Sequence, residues 1–283
     1  MNIKICTDST CDLTLDLLKE NDITVTPLTI IKGGVPFQDG VDITPDDIFA
    51  FVDQGGSLCS TSAINIDTYH SLFTELSGSY DAVIEITLGK KFSSCYQNAC
   101  DAAACFKNVY VVDSGNLSTG NGLMVMEAVR MRAAGMTAEE IVAALNDTRD
   151  RVETSFVLNK LDYMIKGGRC SMVAALGANL LRIKPSIQVT DGKMGMAEKY
   201  RGNYLKCVEN YVSSRLNGRE DICDDLCFIT HSGIEEAQLQ NVVNQVKSLY
   251  PFKKVLVTRA GCTITCHCGP GCLGILFIRK KEA

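Results

Sequence analysis

The chain has 283 residues, 46% hydrophobic and 22% charged, enough to bury a sizeable core in two domains or one large one, with no sign of disorder. A formal net charge of -5 argues against a nucleic-acid partner, whose binding surface would carry a basic stripe. No apolar stretch approaches the roughly 18 residues of a membrane span, and Met1-Asn2-Ile3-Lys4 runs straight into a strand pattern without a signal-peptide profile, so a cytoplasmic protein with no integral membrane segment is expected.

In chain order, the first half alternates strand and helix signals: Ile3 to Thr7, Leu13 to Glu20, Ile23 to Ile31, Thr44 to Asp53, Asp67 to Leu76, Ala82 to Leu88, Ser94 to Cys105 and Val109 to Asp113. That alternation predicts an α/β fold with a parallel, doubly wound sheet. Thr44 followed by Pro45, Asp46 and Asp47 marks a helix start, and Thr137 to Glu140 forms a capping box. Apolar positions at helical spacing run from Thr119 to Ala134, and Gly135 ends that helix.

The pattern changes near Thr154, where a second domain is expected, dividing the chain into 1–153 and 154–283. Its signals are a strand over Thr154 to Leu158, a short helix from Leu161 ending at Gly167-Gly168, and a helical stretch over Ser171 to Leu181. A hairpin at Asp191-Gly192 and helices over Tyr204 to Leu216 and Glu235 to Leu249 follow. The strands expected among these, at Leu226 to Thr230, Lys254 to Thr258, Cys262 to His267 and Leu273 to Ile278, predict a mixed, partly antiparallel sheet.

Four apolar runs end in clusters of hydroxyls, acids and glycines: Ile5 to Thr10, Leu58 to Ser62, Ile84 to Ser94, and Val111 to Gly122. Loops leaving the carboxyl ends of parallel strands converge on one crevice, so these clusters are expected to line one pocket. Asp8, Ser9, Thr10, Ser62, Ser93, Ser94, Ser114 and Gly120 belong to them, and a lining rich in hydroxyls and poor in bases suits an anion.

Several ordered segments together resemble the DegV family of bacterial fatty-acid-binding proteins. They are Thr7-Asp8-Ser9-Thr10-Cys11-Asp12-Leu13, Val112-Asp113-Ser114 with Ser118-Thr119-Gly120-Asn121-Gly122, and Leu161 to Arg169. Leu176-Gly177, Ile183-Lys184-Pro185, Arg201-Gly202 and His267-Cys268-Gly269-Pro270-Gly271 complete the set. The resemblance implies a two-domain α/β fold that buries a long-chain fatty acid, such as C16 or C18, with no cofactor and no catalysis of its own. It implies carboxylate contacts at Thr61 and Ser93, with Ser62 and Ser94 beside them. Arg169, Arg201 and His267 are the matching positions for a head-group or phosphate-stabilising role, and Gly269 and Gly271 for a pocket loop. It further implies that a separate fatty acid kinase with a dihydroxyacetone-kinase-like domain phosphorylates the bound carboxylate. Two departures stand out: the segment after Thr61-Ser62 lacks the usual Gln-Pro-Ser, and Ser94 occupies a place usually held by glycine.

The fourteen cysteines are expected to be free thiols, with Cys6, Cys100, Cys105, Cys170, Cys207 and Cys227 packed as small hydrophobes. Metal binding is one alternative function, because Cys262, Cys266, Cys268 and Cys272 lie close together. On a strand these cysteines share one face, with Thr263, Thr265 and His267 on the other. Same-face neighbours about 6.6 Å apart are too far for one zinc at about 2.3 Å per thiolate. A serine hydrolase is the other alternative, and the sequence has no Gly-x-Ser-x-Gly elbow to support it.

Overall fold

A computed structural model describes residues 1–170 and 183–281; the helix expected over Ser171 to Leu181 and the Leu176-Gly177 pair lie outside these residues. The chain begins with β1 (Ile3–Asp8), a 3-10 turn at Ser9–Cys11, α1 (Leu15–Glu20), β2 (Ile23–Thr26), β3 (Thr29–Lys32) and β4 (Val35–Gln38). Next come α2 (Pro45–Asp53), β5 (Ser60–Ser62), α3 (Ile66–Ser77), β6 (Ala82–Thr87), α4 (Cys95–Ala103), β7 (Val109–Asp113), α5 (Thr119–Ala133) and α6 (Ala138–Arg149). Four of these strands form the expected parallel sheet, in the order β2-β1-β6-β7. Strands buried on both faces need apolar residues on both, and β1 and β6 are buried at every position. Both capping boxes form, at Thr44 with Asp47 and at Thr137 with Glu140, and Gly135 adopts φ 80° just after α5.

The second half contributes β8 (Val152–Val157), α7 (Asp162–Gly167), β9 (Ile183–Thr190), β10 (Lys193–Arg201), α8 (Tyr204–Leu216), β11 (Ile222–His231), α9 (Glu236–Leu249), β12 (Lys254–Arg259), α10 (Cys262–Cys268) and β13 (Leu273–Arg279). Its sheet has the order β10-β9-β8-β13-β11-β12 and is mixed: only β11 and β12 run parallel. At the β9–β10 hairpin Asp191 and Gly192 take φ 50° and 67°, the left-handed pair that a two-residue turn requires.

Three expectations are corrected. The single strand read over Ile23 to Ile31 breaks at Pro27-Leu28 into β2 and β3, and β3 joins a separate antiparallel sheet, β4-β3-β5. The strand read over Cys262 to His267 is the helix α10, so its cysteines and threonines do not segregate onto opposite faces. Of the cysteines expected in the core, Cys6, Cys170, Cys207 and Cys227 are buried, whereas Cys100 is half-buried and Cys105 exposed.

The apolar clusters tie the two halves together. One joins Ile5, Ile84 and Leu123 to Phe228 and Leu276; another joins Leu28, Leu88 and Leu117 to Phe156 and Ile264. α10 joins this second cluster through Ile264 and Cys268 and packs against Ile30 and Phe37 of the small sheet through Cys262 and Cys266, and the site forms there.

Candidate functional site

A cavity of about 400 Å³ opens between β5, the loop before α4, and α10. Its mouth carries Thr61, Ser62, Ser93, Ser94, Arg169 and His267, and its walls include Leu28, Leu88, Phe92, Leu117, Phe156, Met164 and Ile264. Ligand pockets typically fall between about 300 and 1,000 Å³ and combine apolar walls with a few convergent polar groups. A smaller apolar void shares Leu117, Phe156, Ile264 and Cys268 with the cavity and continues inward to Ala260, Gly274 and Leu276.

Each mouth residue is held by local structure. Thr61 sits in the middle of β5, paired with Ile30 of β3. Ser93 precedes the first turn of α4, where its hydroxyl accepts a 3.2 Å hydrogen bond from the Cys95 N–H. Ser94, the N-cap of α4, has φ -79° and makes no side-chain capping bond, so its backbone needs no glycine and its hydroxyl is exposed at the mouth. Arg169 is exposed just after α7, which Gly168 closes at φ 69°, and it donates a 2.7 Å bond to the Gly167 carbonyl. A shallow basin extends outward from Ser93, Ser94 and Arg169 past Lys90, Lys91 and Tyr96, and no acid lines it among the described residues.

The helical form of α10 changes what it presents. Positions four apart share a helix face, so Thr263 and His267 point into the cavity together, with Ile264 and Cys268 beside them. The strand reading also places Thr263 on one face with His267; the two do share the cavity, but through helical spacing rather than strand alternation.

His267 Nε2 lies 2.9 Å from the Thr61 hydroxyl. Burial, and then the nearby Arg169 guanidinium, push the imidazole down to about 4, so the ring is neutral at pH 7. With the proton on Nε2, the ring donates to Thr61 Oγ1 and leaves the hydroxyl hydrogen free for a ligand oxygen. Nδ1 is buried without a hydrogen-bond partner among the described residues. A hydrolytic base would need an orienting acid at that atom, and Gly167 occupies the position instead.

A Cβ on Gly167 would sit 2.4 Å from His267 Nδ1. We expect Gly167→Ala to push the ring away from Thr61 and cost about 1–3 kcal/mol, the usual range for overpacking, measurable by urea unfolding. An unchanged unfolding midpoint would show that the ring tolerates the methyl group.

The other residues singled out in the sequence lie elsewhere, and their polar groups serve the scaffold. Asp8 is buried and accepts from the Thr10 and Leu88 N–H groups at 3.0 and 2.6 Å. The Ser9 hydroxyl bridges Asp39 and the Leu28 N–H. Thr10 donates to Asp8, Ser114 bonds Asn116, and Gly120 lies against the Thr154 hydroxyl. Gly269 and Gly271 leave room for Tyr163 and Asn159. Arg201 ends β10 in an exposed position and is not among the cavity-lining residues. Of the four hydroxyl clusters, those around Thr61 and Ser93 thus meet at this mouth, the last adds Leu117 to the wall, and the first is spent internally. No group of three or more His, Cys, Asp and Glu that could hold a metal ion occurs among the described residues.

The sequence profile described as uncharacterised proteins of the DegV family matches residues 2–280. The chain belongs to the DegV family. A DegV domain-containing protein of Caldanaerobacter subterraneus is 33% identical over 280 residues, covering 98% of this chain and 99% of the relative. In structure, this DegV chain is similar to a fatty-acid-binding DegV family protein from Thermus thermophilus, with a TM-score of 0.89 at 29% identity, covering 99% of this chain and 100% of that one. It is also similar to a stearic-acid-binding protein from Eubacterium ventriosum, with a TM-score of 0.84 at 25% identity and 98% of both chains covered.

Proposed function

We propose that this DegV protein is a non-enzymatic fatty-acid carrier. A long acyl chain such as C16 or C18 occupies the apolar interior, and its carboxylate rests against Thr61, Ser62, Ser93 and Ser94. Arg169 and the neutral His267 stand beside the head group. The observation that carries this reading is a single cavity with a hydroxyl-lined mouth and apolar walls, in a fold whose structural relatives bind fatty acids. Five lining hydroxyls, four at the mouth and Thr263 on α10, and no acid suit an anion that accepts up to about four hydrogen bonds. Burying about fourteen methylenes at about 0.8 kcal/mol each outweighs the ordering of the chain and retains the lipid.

In this reading the halves 1–153 and 154–283 act as two domains that share the cavity, and the protein works in the cytoplasm. The helices support a non-membrane role: none is long and apolar enough to cross a bilayer among the described residues. A separate fatty acid kinase of the dihydroxyacetone-kinase-like class would phosphorylate the presented carboxylate, and the basin of Lys90, Lys91 and Arg169 supports approach of a phosphate donor there.

Native mass spectrometry of the purified protein, followed by solvent extraction and elemental analysis, tests the carrier reading. We expect one C16 or C18 fatty acid per chain and no stoichiometric metal. Bound zinc or iron without lipid would overturn the reading and return attention to the cysteines.

A further inference from the structure

The helix that carries His267 is too short to be held by its own hydrogen bonds, and its first N–H groups are satisfied by two acidic side chains from far away in the chain, of which Asp12 is pushed up to about 8 by burial. Asp39 lies just beyond β4, and it is 4% exposed. Its two oxygens accept from the Cys262 N–H at 2.8 Å and the Thr263 N–H at 3.0 Å. Asp12 accepts from the preceding Gly261 N–H at 2.8 Å, and its second oxygen takes the Ser118 hydroxyl. Orphan N–H groups at a helix start must find acceptors, and a carboxylate there also opposes the positive end of the helix dipole.

The connectivity makes this more than local capping. Asp39 closes the same small sheet that supplies Thr61: β4 pairs with β3, β3 pairs with β5, and the Asp39 N–H donates to the Leu28 carbonyl. Ser9 fixes the second Asp39 oxygen at 3.0 Å. The sheet therefore holds both ends of the Thr61–His267 contact, directly through β5 and indirectly through Asp39 and α10. Gly261 completes the arrangement, since a Cβ there would lie 3.2 Å from Asp12 and 3.4 Å from Asp39.

We infer that Asp39, assisted by Asp12, is the positioning residue that sets His267 against Thr61. Asp39 does not line the cavity; it acts through the N-terminus of α10. The consequence for lipid binding rests on the carrier reading, but the placement of the ring does not. The test is therefore made on delipidated protein.

The readout is the His267 imidazole resonance, assigned by its loss in His267→Gln and followed against pH, with folding checked by near-UV circular dichroism. In the parent protein the ring faces Thr61 and the Arg169 charge, and its midpoint is expected at about 4. Asp39→Ala releases the helix start, so the ring gains access to water and its midpoint rises by at least about one unit toward the ordinary value near 6.5. Asp39→Asn keeps one acceptor oxygen and should give a smaller rise. If Asp39→Ala fails to fold, Gly261→Ala replaces it, because its methyl group crowds both acidic side chains while removing neither. An unmoved His267 midpoint in folded Asp39→Ala, or in Gly261→Ala where that variant stands in, overturns the assignment. A graded rise from Asn to Ala supports it, as a purely structural role would lower stability without moving this ring.

Discussion

Replacing Thr61 and Ser93 together by alanine should abolish stable retention of fatty acid while leaving the protein folded. Hydrogen bonds to a charged group contribute about 1.5–3 kcal/mol each, so losing two raises Kd by at least about a hundredfold. The fold should survive because neither hydroxyl is part of the core: Thr61 is half-buried on a three-residue strand, and Ser93 is half-buried at a helix start. Ser93 does accept the Cys95 N–H, so its loss costs up to about 1 kcal/mol of helix capping. Titration of delipidated protein with palmitate, beside a thermal melt, separates the effects. Unchanged affinity in the double variant would place the carboxylate elsewhere, and the Lys90, Lys91 and Arg169 basin would then be the next candidate. The Thr61 effect should exceed that of Ser93, because His267 holds the Thr61 hydroxyl in place with its hydrogen aimed at the ligand.

Much of the scaffold was legible because its signals are local. Thr44-Pro45 and the Thr137–Glu140 box produced the helix starts they encode, and Asp191-Gly192 produced its turn. The two mouth hydroxyls were reached partly through residue type in strand-end loops and partly through family resemblance. What failed was α10. Cys-Thr-Ile-Thr-Cys alternates in a way that suits a strand, and β-branched residues weaken helices. Its helical form is imposed by tertiary contacts, namely the Asp12 and Asp39 caps more than 220 residues away in sequence and burial on nearly every side. The first hydroxyl cluster misled for a related reason. Asp8, Ser9 and Thr10 have the composition of a binding loop, but their partners Leu88, Asp39 and Leu28 come from distant segments. A sequence shows which groups can form hydrogen bonds without showing which have already been used.

The largest loss of stability is expected away from the site, at Glu153 on β8. Its carboxylate is 6% exposed and meets three guanidinium groups: Arg215, Arg219 through bonds of 3.1 and 3.0 Å, and Arg279 at 3.7 Å. Arg219 has a second partner in Asp221 and Arg279 is partly exposed, but Arg215 has a side chain only 12% exposed. Burial, and then the neighbouring Arg219 charge, push Arg215 down to about 10, so the site is already costly for a cation. Arg215 and Arg219 also lie over the Phe277 ring, at 5.9 and 5.6 Å, which keeps them close together. Glu153→Ala leaves that pair without its shared counter-charge, and removing one partner of a buried ion pair costs about 3–5 kcal/mol. For a chain of this size that lowers Tm by roughly 6–20 °C. The second variant decides the cause. Adding Arg215→Met to Glu153→Leu removes the buried charge and the need for its partner, and should recover most of the loss, as apolar replacements of buried ion pairs often do. If the double variant melts as low as Glu153→Ala, the cluster acts through packing around Phe277 rather than through charge.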